Sequence, residues 1–315
     1  MAIVPKFLQK GNTLAAISPA GPVEEKEVAE GVLNMGNAGY EVSVLPSALN
    51  NIGYLAGTDE ERAKDLVDAF QNSKIDGILC TRGGYGTMRL LQHVDFSIIK
   101  NNPKPLIGFS DISALQHAIW LKTGLVTYSG PQLARGGLTN PDEEGLDEAR
   151  LFNSRCWFDL LEGKLQGKAL PFPADMVRLE SVKCGSVTSP LLGGNLAVLS
   201  ALAGTRWSPI FKDSILLLEE IDEPLYRIDR MLSQLHLAGA FEGVKGVLLG
   251  KFTQHIKGEP VQQHDEVLKI IREFLPDDIP FSLGAPYGHI GPCWTLPLGA
   301  TVTLDSNRGM LIIEE

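Results

Sequence analysis

Over the first 125 residues, short apolar runs alternate with stretches whose apolar positions recur at helical spacing. Thr13 to Ser18 reads as a buried strand, stopped by Pro19, Gly21 and Pro22. Glu24 to Ala38 then sets Val28, Val32 and Met35 on one face and stops at Gly39, which predicts a helix. Tyr40 to Leu45 alternates as a strand does. Asp59 to Phe70 opens with an acidic turn and lines up Ala63, Leu66, Val67 and Phe70, predicting an amphipathic helix. Two further apolar runs, Ile75 to Cys80 and Pro105 to Phe109, each lead into a turn and a helix. The first is followed by the Gly-rich turn Thr81 to Gly86 and a short helix through Leu90, the second by a helix from Ser110 that stops at Gly124. Strand and helix alternating at this spacing predict a mainly parallel α/β sheet with helices on both faces.

From Gly136 to Lys183 the pattern changes: Asn, Asp, Glu, Gly and Pro dominate around one predicted helix over 147–161. This stretch reads as a connection. Beyond it the apolar runs Ser214 to Glu220, Gly246 to Phe252 and Ala300 to Leu304 are separated by Pro- and Gly-rich turns, with fewer helices. The expected organisation is therefore an α/β domain over 1–150, a linker over 151–183 and a more β-rich domain over 184–315, whose topology the pattern does not give.

Composition narrows the class without naming a chemistry. The 315 residues carry 28 Lys and Arg against 38 Asp and Glu, a net charge of −10. That balance argues against nucleic acid or an anionic membrane as partner, since phosphate binding needs a basic face. No apolar stretch approaches the ~18 residues of a membrane span, and the N-terminus lacks a signal-like apolar region. The four cysteines (Cys80, Cys156, Cys184, Cys293) are far apart without a CxxC pair, so neither a disulfide framework nor a metal cluster is expected. A cytoplasmic protein needing no cofactor is the expectation.

Four stretches have the residue types for chemistry. Gly108 to Ser113 (GFSDIS) ends a strand in Gly-x-Ser and turns at once into a helix, which would hold a serine hydroxyl beside unpaired helix N–H groups. The bland alternative is that Ser110 or Asp111 is an N-cap, and Ile112 breaks the general G-x-S-x-G elbow. Thr81 to Gly86 (TRGGYG) is either a tight turn or a loop whose backbone can approach a ligand; it is not a dinucleotide fingerprint. In Ile215 to Leu235 an apolar strand runs straight into Glu219 and Glu220, whose side chains should point to opposite faces. A salt bridge from Glu219 to Arg227 or Arg230 is the structural alternative. Finally, His289 sits in a Gly- and Pro-bounded loop, Leu283 to Pro292. Among the other histidines, His93, His117 and His236 fit packing positions, and His255 and His264 lie in a polar loop and are expected to be solvated.

Taken together, GFSD, RGGYG, LEEIDEPLYRIDR and GH resemble the serine L,D-carboxypeptidases, the murein tetrapeptide carboxypeptidase family that includes the microcin C self-immunity peptidases. The resemblance extends through GNTLAAISPAG, YLAGTDEERAKDL, KPLIGFSDISAL, YSGP and GGNLAVLSALAG. It implies a flavodoxin-like or glutamine-amidotransferase-like N-terminal domain and a C-terminal domain of β/β/α type. It also implies a catalytic triad of Ser110, Glu219 and His289, with backbone N–H groups of Asp111 and Gly84 as the oxyanion hole. The implied partners are a small peptide or muropeptide substrate, and a second copy of the chain in a homodimer. The implied reaction is release of a terminal D-Ala through an acyl-enzyme. Two alternatives remain open. One is a microcin-type immunity hydrolase, which predicts Trp207 or Trp294 stacking a base; the other is a non-catalytic muropeptide-binding protein. Whether meso-diaminopimelate or Lys precedes the scissile bond is also open.

Overall fold

The computed structural model describes residues 2–134, 137–141, 145 and 147–315. Gly136, where the sequence changes character, lies outside the described residues. The chain forms two compact units, Met1–Lys164 with Trp294–Gly299, and Leu165–Cys293 with Ala300–Glu315. The first unit thus runs past the expected end at 150. The reason is the helix over Glu148–Leu161, which buries Trp157, Phe158 and Leu160, stacks Phe158 on Tyr40 and accepts the Leu8 N–H at the Leu161 carbonyl.

In chain order the first unit contains β1 (Thr13–Ile17), α1 (Glu25–Asn37), β2 (Glu41–Val44), α2 (Asp59–Gln71), β3 (Gly77–Cys80), α3 (Thr87–Leu90), α4 (Phe96–Asn101), β4 (Leu106–Gly108), α5 (Ser113–Thr123), β5 (Thr127–Ser129) and α6 (Glu148–Leu161). The strands lie in the order β2-β1-β3-β4-β5, all parallel, and a late strand, Leu296–Leu298, adds antiparallel to the β5 edge. This is the flavodoxin-type order, in which ligands bind beyond the carboxyl ends of the strands where the order reverses. β3 is apolar and buried along its whole length and β1 from Leu14 to Ile17, as strands of a parallel sheet covered on both faces are. A capping box between Thr58 and Glu61 starts α2, and Gly124, in the left-handed region at φ 72°, ends α5.

The second unit contains β6 (Lys168–Ala169), β7 (Glu180–Lys183), β8 (Ser186–Asn195), α7 (Leu196–Leu202), β9 (Ile215–Ile221), α8 (Leu225–Leu237), β10 (Gly246–Ile256), β11 (Glu259–Gln262), α9 (His264–Ile271) and β12 (Phe281–Leu283). The strand that returned to the first sheet is β13, after which β14 (Thr301–Asp305) and β15 (Met310–Ile313) complete this unit. Its sheet runs β6-β15-β14-β8-β9-β10-β12-β7, with β11 folded back on β10. The centre, β8-β9-β10-β12, is parallel and the flanks are antiparallel. The expected strand-rich second domain is present.

The register of β8 on β9 pairs Gly193 with Leu217 and Asn195 with Glu219. Gly193 has φ 142°, and a Cβ there would lie 1.8 Å from the Leu217 carbonyl oxygen. Since the obstacle is central backbone, Gly193→Ala is expected to cost at least about 3 kcal/mol of stability. Denaturant unfolding checks this, and a loss below about 1 kcal/mol would contradict it.

Candidate active site

In the first unit, β4 delivers the chain into extended Phe109 and then into Ser110, whose φ of 64° is left-handed. A non-glycine residue held there is strained, and such strain concentrates at functional positions. A 3₁₀ turn over Ser110–Ile112 leads straight into α5. The departure from G-x-S-x-G has a packing reason: a Cβ on Gly108 would lie 2.5 Å from Ile112 Cγ2. The Ile112 side chain occupies the space that Gly108 leaves open.

The capping alternative does not describe this turn. Neither the 3₁₀ turn nor α5 starts with a side-chain cap. The buried Asp111 carboxylate instead accepts from the Thr87 N–H and hydroxyl, both at 2.9 Å, across to α3. Burial raises its pKa, and those hydrogen bonds only partly oppose the rise. The Gly-rich loop lies against the serine, since a Cβ on Gly83 would be 2.9 Å from Ser110 Cβ. Gly83 N–H is spent on Gln132 Oε1 at 3.0 Å. The N–H groups of Asp111 and Gly84 make no hydrogen bond with a described residue. Both therefore stay candidates for oxyanion donors.

In the second unit, Glu219 sits fully buried near the end of β9, with Oε2 2.9 Å from His289 Nδ1. Its other oxygen accepts from Asn195 Nδ2 at 3.0 Å. Glu220 turns away: Oε2 accepts the Ala197 N–H at 2.6 Å, in the first turn of α7, and Oε1 accepts the Ile221 N–H at 2.8 Å. The same Asn195 amide also donates to Glu220 Oε1 at 3.0 Å, so one side chain ties the two carboxylates together. The residues that would have salt-bridged Glu219 are elsewhere: Arg227 pairs with Glu223 at 2.7 Å, and Arg230 lies over Tyr226.

Electrostatics separate the two acids. Burial, reinforced by the neighbouring Glu219 charge, pushes Glu220 up to about 7. For His289, burial alone would depress the imidazolium, but the Glu219 carboxylate outweighs it and holds the ring above its ordinary value. Glu219 with His289 is thus a buried acid that orients an imidazole through Nδ1 and favours its charged form.

The remaining candidates separate clearly. His117 is buried, as expected of a packing residue, whereas His93 and His236 are exposed, His236 with its ring 5.5 Å from that of Phe274. His255 is exposed and pairs with Asp222 at 2.9 Å. His264 departs from expectation: it is half-buried, and burial with the charge of Lys251 pushes it down to about 4. A strand return, not a solvated loop, surrounds it, because β11 folds back and sets the start of α9 against the sheet. Burial pushes the Cys293 thiol up to about 12 and that of Cys80 higher still, which excludes both as thiolate nucleophiles. Among the described residues, no group of three or more His, Cys, Asp or Glu is placed to hold a metal ion, and no helix is long and apolar enough to cross a membrane. Asn195 and Gln132 were not singled out by sequence reasoning. The only signal for Asn195 is its place as N-cap between a strand and the apolar run LAVLSAL.

Residues 14–130 match the LD-carboxypeptidase N-terminal domain, and residues 188–304 match the LD-carboxypeptidase C-terminal domain. A probable murein peptide carboxypeptidase of Bacillus subtilis is 32% identical, over 98% of this chain and 94% of its own. The murein tetrapeptide carboxypeptidase of Pseudomonas aeruginosa is 33% identical over 81% of this chain and 80% of its own. Among solved structures, the microcin C7 self-immunity protein MccF in complex with aspartyl sulfamoyl adenosine superposes with a TM-score of 0.85 at 25% identity. That match covers 99% of this chain and 98% of the other.

Proposed function

The chain belongs to the LD-carboxypeptidase family and is a carboxypeptidase, and on that premise we propose that it releases the terminal D-Ala of murein tetrapeptides by serine acyl transfer. The observation that carries the mechanism is the left-handed Ser110 at a strand-to-helix elbow, flanked by uncommitted N–H groups. A serine hydroxyl is a weak nucleophile near neutral pH, so attack on an amide needs a base. His289 Nε2 takes the Ser110 proton as the Oγ–C bond forms, while Glu219 stabilises the imidazolium through Nδ1. Asp111 and Gly84 N–H groups donate to the oxyanion, at roughly 3 kcal/mol of barrier lowering each. The imidazolium then protonates the departing amine, D-Ala leaves, and water, activated by the same ring, hydrolyses the acyl-serine. In this reading the enzyme works in the cytoplasm on peptides recovered from the cell wall, as a homodimer.

A second reading, hydrolysis of a peptidyl-nucleotide-like amide, is favoured by the ligand in the MccF complex. Its expected stacking platform is absent: Trp294 is 0% exposed and Trp207 is 8% exposed with Arg206 over its ring. Both tryptophans went into the hydrophobic interior, as large aromatic side chains do when no ligand face is reserved for them. Side-by-side turnover decides between the readings. Incubation with a murein tetrapeptide is expected to yield free D-alanine and the tripeptide, and aspartyl sulfamoyl adenosine to be cleaved far more slowly. No D-alanine release beside rapid cleavage of the nucleoside would reverse the assignment.

A further inference from the structure

Wholly within the second unit, a cavity of about 440 Å³ adjoins the loop that bears His289; Ile290, Gly291 and Pro292 form part of its wall. Five titratable side chains line it: Asp175, Arg178, Glu180, Lys251 and His264. They carry both signs, yet none makes a side-chain hydrogen bond or ion pair with a described residue. Asp175, Arg178 and Glu180 stand exposed at the rim, whereas Lys251 and His264 are half-buried.

The backbone sets the position of Lys251, and His264 lies beside it on the cavity wall. Lys251 lies where the register of β10 on β9 shifts between Leu249 and Phe252, and its N–H donates to the Tyr287 carbonyl at 2.8 Å, two residues before His289. A bulge of this kind re-aims a side chain and recurs beside active sites. His264 keeps Nε2 buried without a hydrogen-bond partner. Burial pulls the Lys251 ammonium below the ordinary lysine range, against the pull of Asp175 and Glu180. A cation partly stripped of water and left unpaired is costly, and a carboxylate entering the cavity would remove that cost. The neutral His264 ring lines the same wall and adds no charge to it, while the rim acids suit an ammonium.

We propose that this cavity is a substrate subsite for a zwitterionic α-amino-acid group, with its carboxylate on Lys251 and His264 and its ammonium toward Asp175 and Glu180. The inference rests on the carboxypeptidase reading above, in which that group is the free end of meso-diaminopimelate in the residue before the scissile bond. A lysine in that place supplies the ammonium but no carboxylate, and leaves Lys251 as unpaired as before. A site built for a polar group discriminates strongly against an analogue that lacks it.

The test uses two tetrapeptides that differ only in carrying meso-diaminopimelate or lysine at the third position. Calorimetry on the Ser110→Ala protein reads binding without turnover, and steady-state kinetics on the otherwise unaltered protein reads D-alanine release. The diaminopimelate peptide is expected to bind at least about tenfold more tightly. Adding Lys251→Met should bring the two affinities within about twofold of each other, and Lys251→Arg should restore part of the preference. In turnover, Lys251→Met should raise KM for the diaminopimelate peptide more than it lowers kcat. Equal binding of the two peptides, or an equal loss for both through Lys251→Met, overturns the subsite. Selective, Lys251-dependent binding without D-alanine release from either peptide upholds the subsite and overturns the proposed reaction.

Discussion

Ser110→Ala is expected to lower D-alanine release from a murein tetrapeptide by at least about 10³-fold, with the fold and the unfolding midpoint little changed. Removal of the nucleophile from a serine triad leaves only what the oxyanion donors and binding supply, which sets that scale. The backbone makes a sharper version possible. Ser110 is held at φ 64°, where alanine is as strained as serine and glycine is not. Ser110→Gly should therefore be as inactive as Ser110→Ala while gaining about 0.5–1 kcal/mol of stability in denaturant unfolding. Activity lost while stability rises separates a chemical role from a structural one. Turnover within a few-fold of the unaltered protein in either variant would remove the serine from the mechanism.

How far the sequence could be read depended on whether a feature is local. The run Leu14 to Ile17 of β1, the strand β3 and the run Ile215 to Leu218 of β9 are continuously apolar and buried, and such runs are visible without a structure. The α2 helix announces itself by its capping box and acidic first turn. Side-chain alternation, a local rule, says that Glu219 and Glu220 face opposite ways but not which of them meets His289; the family resemblance chose Glu219, and it is Glu219 that lies 2.9 Å from His289 Nδ1. What alternation could not show is that Asn195, opposite Glu219 on β8, reaches both carboxylates, because strand pairing is a long-range fact. The same limit explains His264: a polar surrounding sequence suggests solvent, whereas the return of β11 onto β10 buries the ring. The first unit's extension to Lys164 was equally hidden, since the stacking of Phe158 on Tyr40 joins residues far apart in the chain. The family resemblance supplied the triad as a set; the residues alone supplied each member with a bland alternative beside it.

Glu219→Gln is expected to lower kcat/KM by about 10³-fold or more, and Glu220→Gln by no more than about tenfold. The physical difference lies in which group each carboxylate meets. Glu219 accepts from His289 Nδ1, so the ring keeps its proton there, which is the tautomer that the proposed general base needs. A glutamine can turn its amide N–H₂ toward Nδ1, which moves the ring proton to Nε2 and removes the base. Glu220 meets α7 instead, where its carboxylate takes the Ala197 and Ile221 N–H groups. A glutamine has one accepting oxygen for these two donors, so stability should fall by about 1–2 kcal/mol while the Glu219–His289 contact stays in place. The pH profiles carry the sign. Activity requires neutral His289, and Glu219 holds that ring above its ordinary value, so the acid limb of kcat/KM lies above the usual histidine range. With Glu219→Gln the largest opposing influence is gone and burial is resisted only by the smaller pull of Glu220 and Asp222, so the limb of the residual activity should move down. Glu220 keeps its proton in the folded protein up to about 7 against 4.5 ordinarily, so the unaltered protein loses stability as pH rises across that interval. Glutamine does not titrate, and the stability deficit of Glu220→Gln should therefore shrink between about pH 5 and pH 8. Kinetics and denaturant unfolding of the two variants across that range decide the matter. A large catalytic loss for Glu220→Gln beside a mild one for Glu219→Gln would move the orienting acid by one residue.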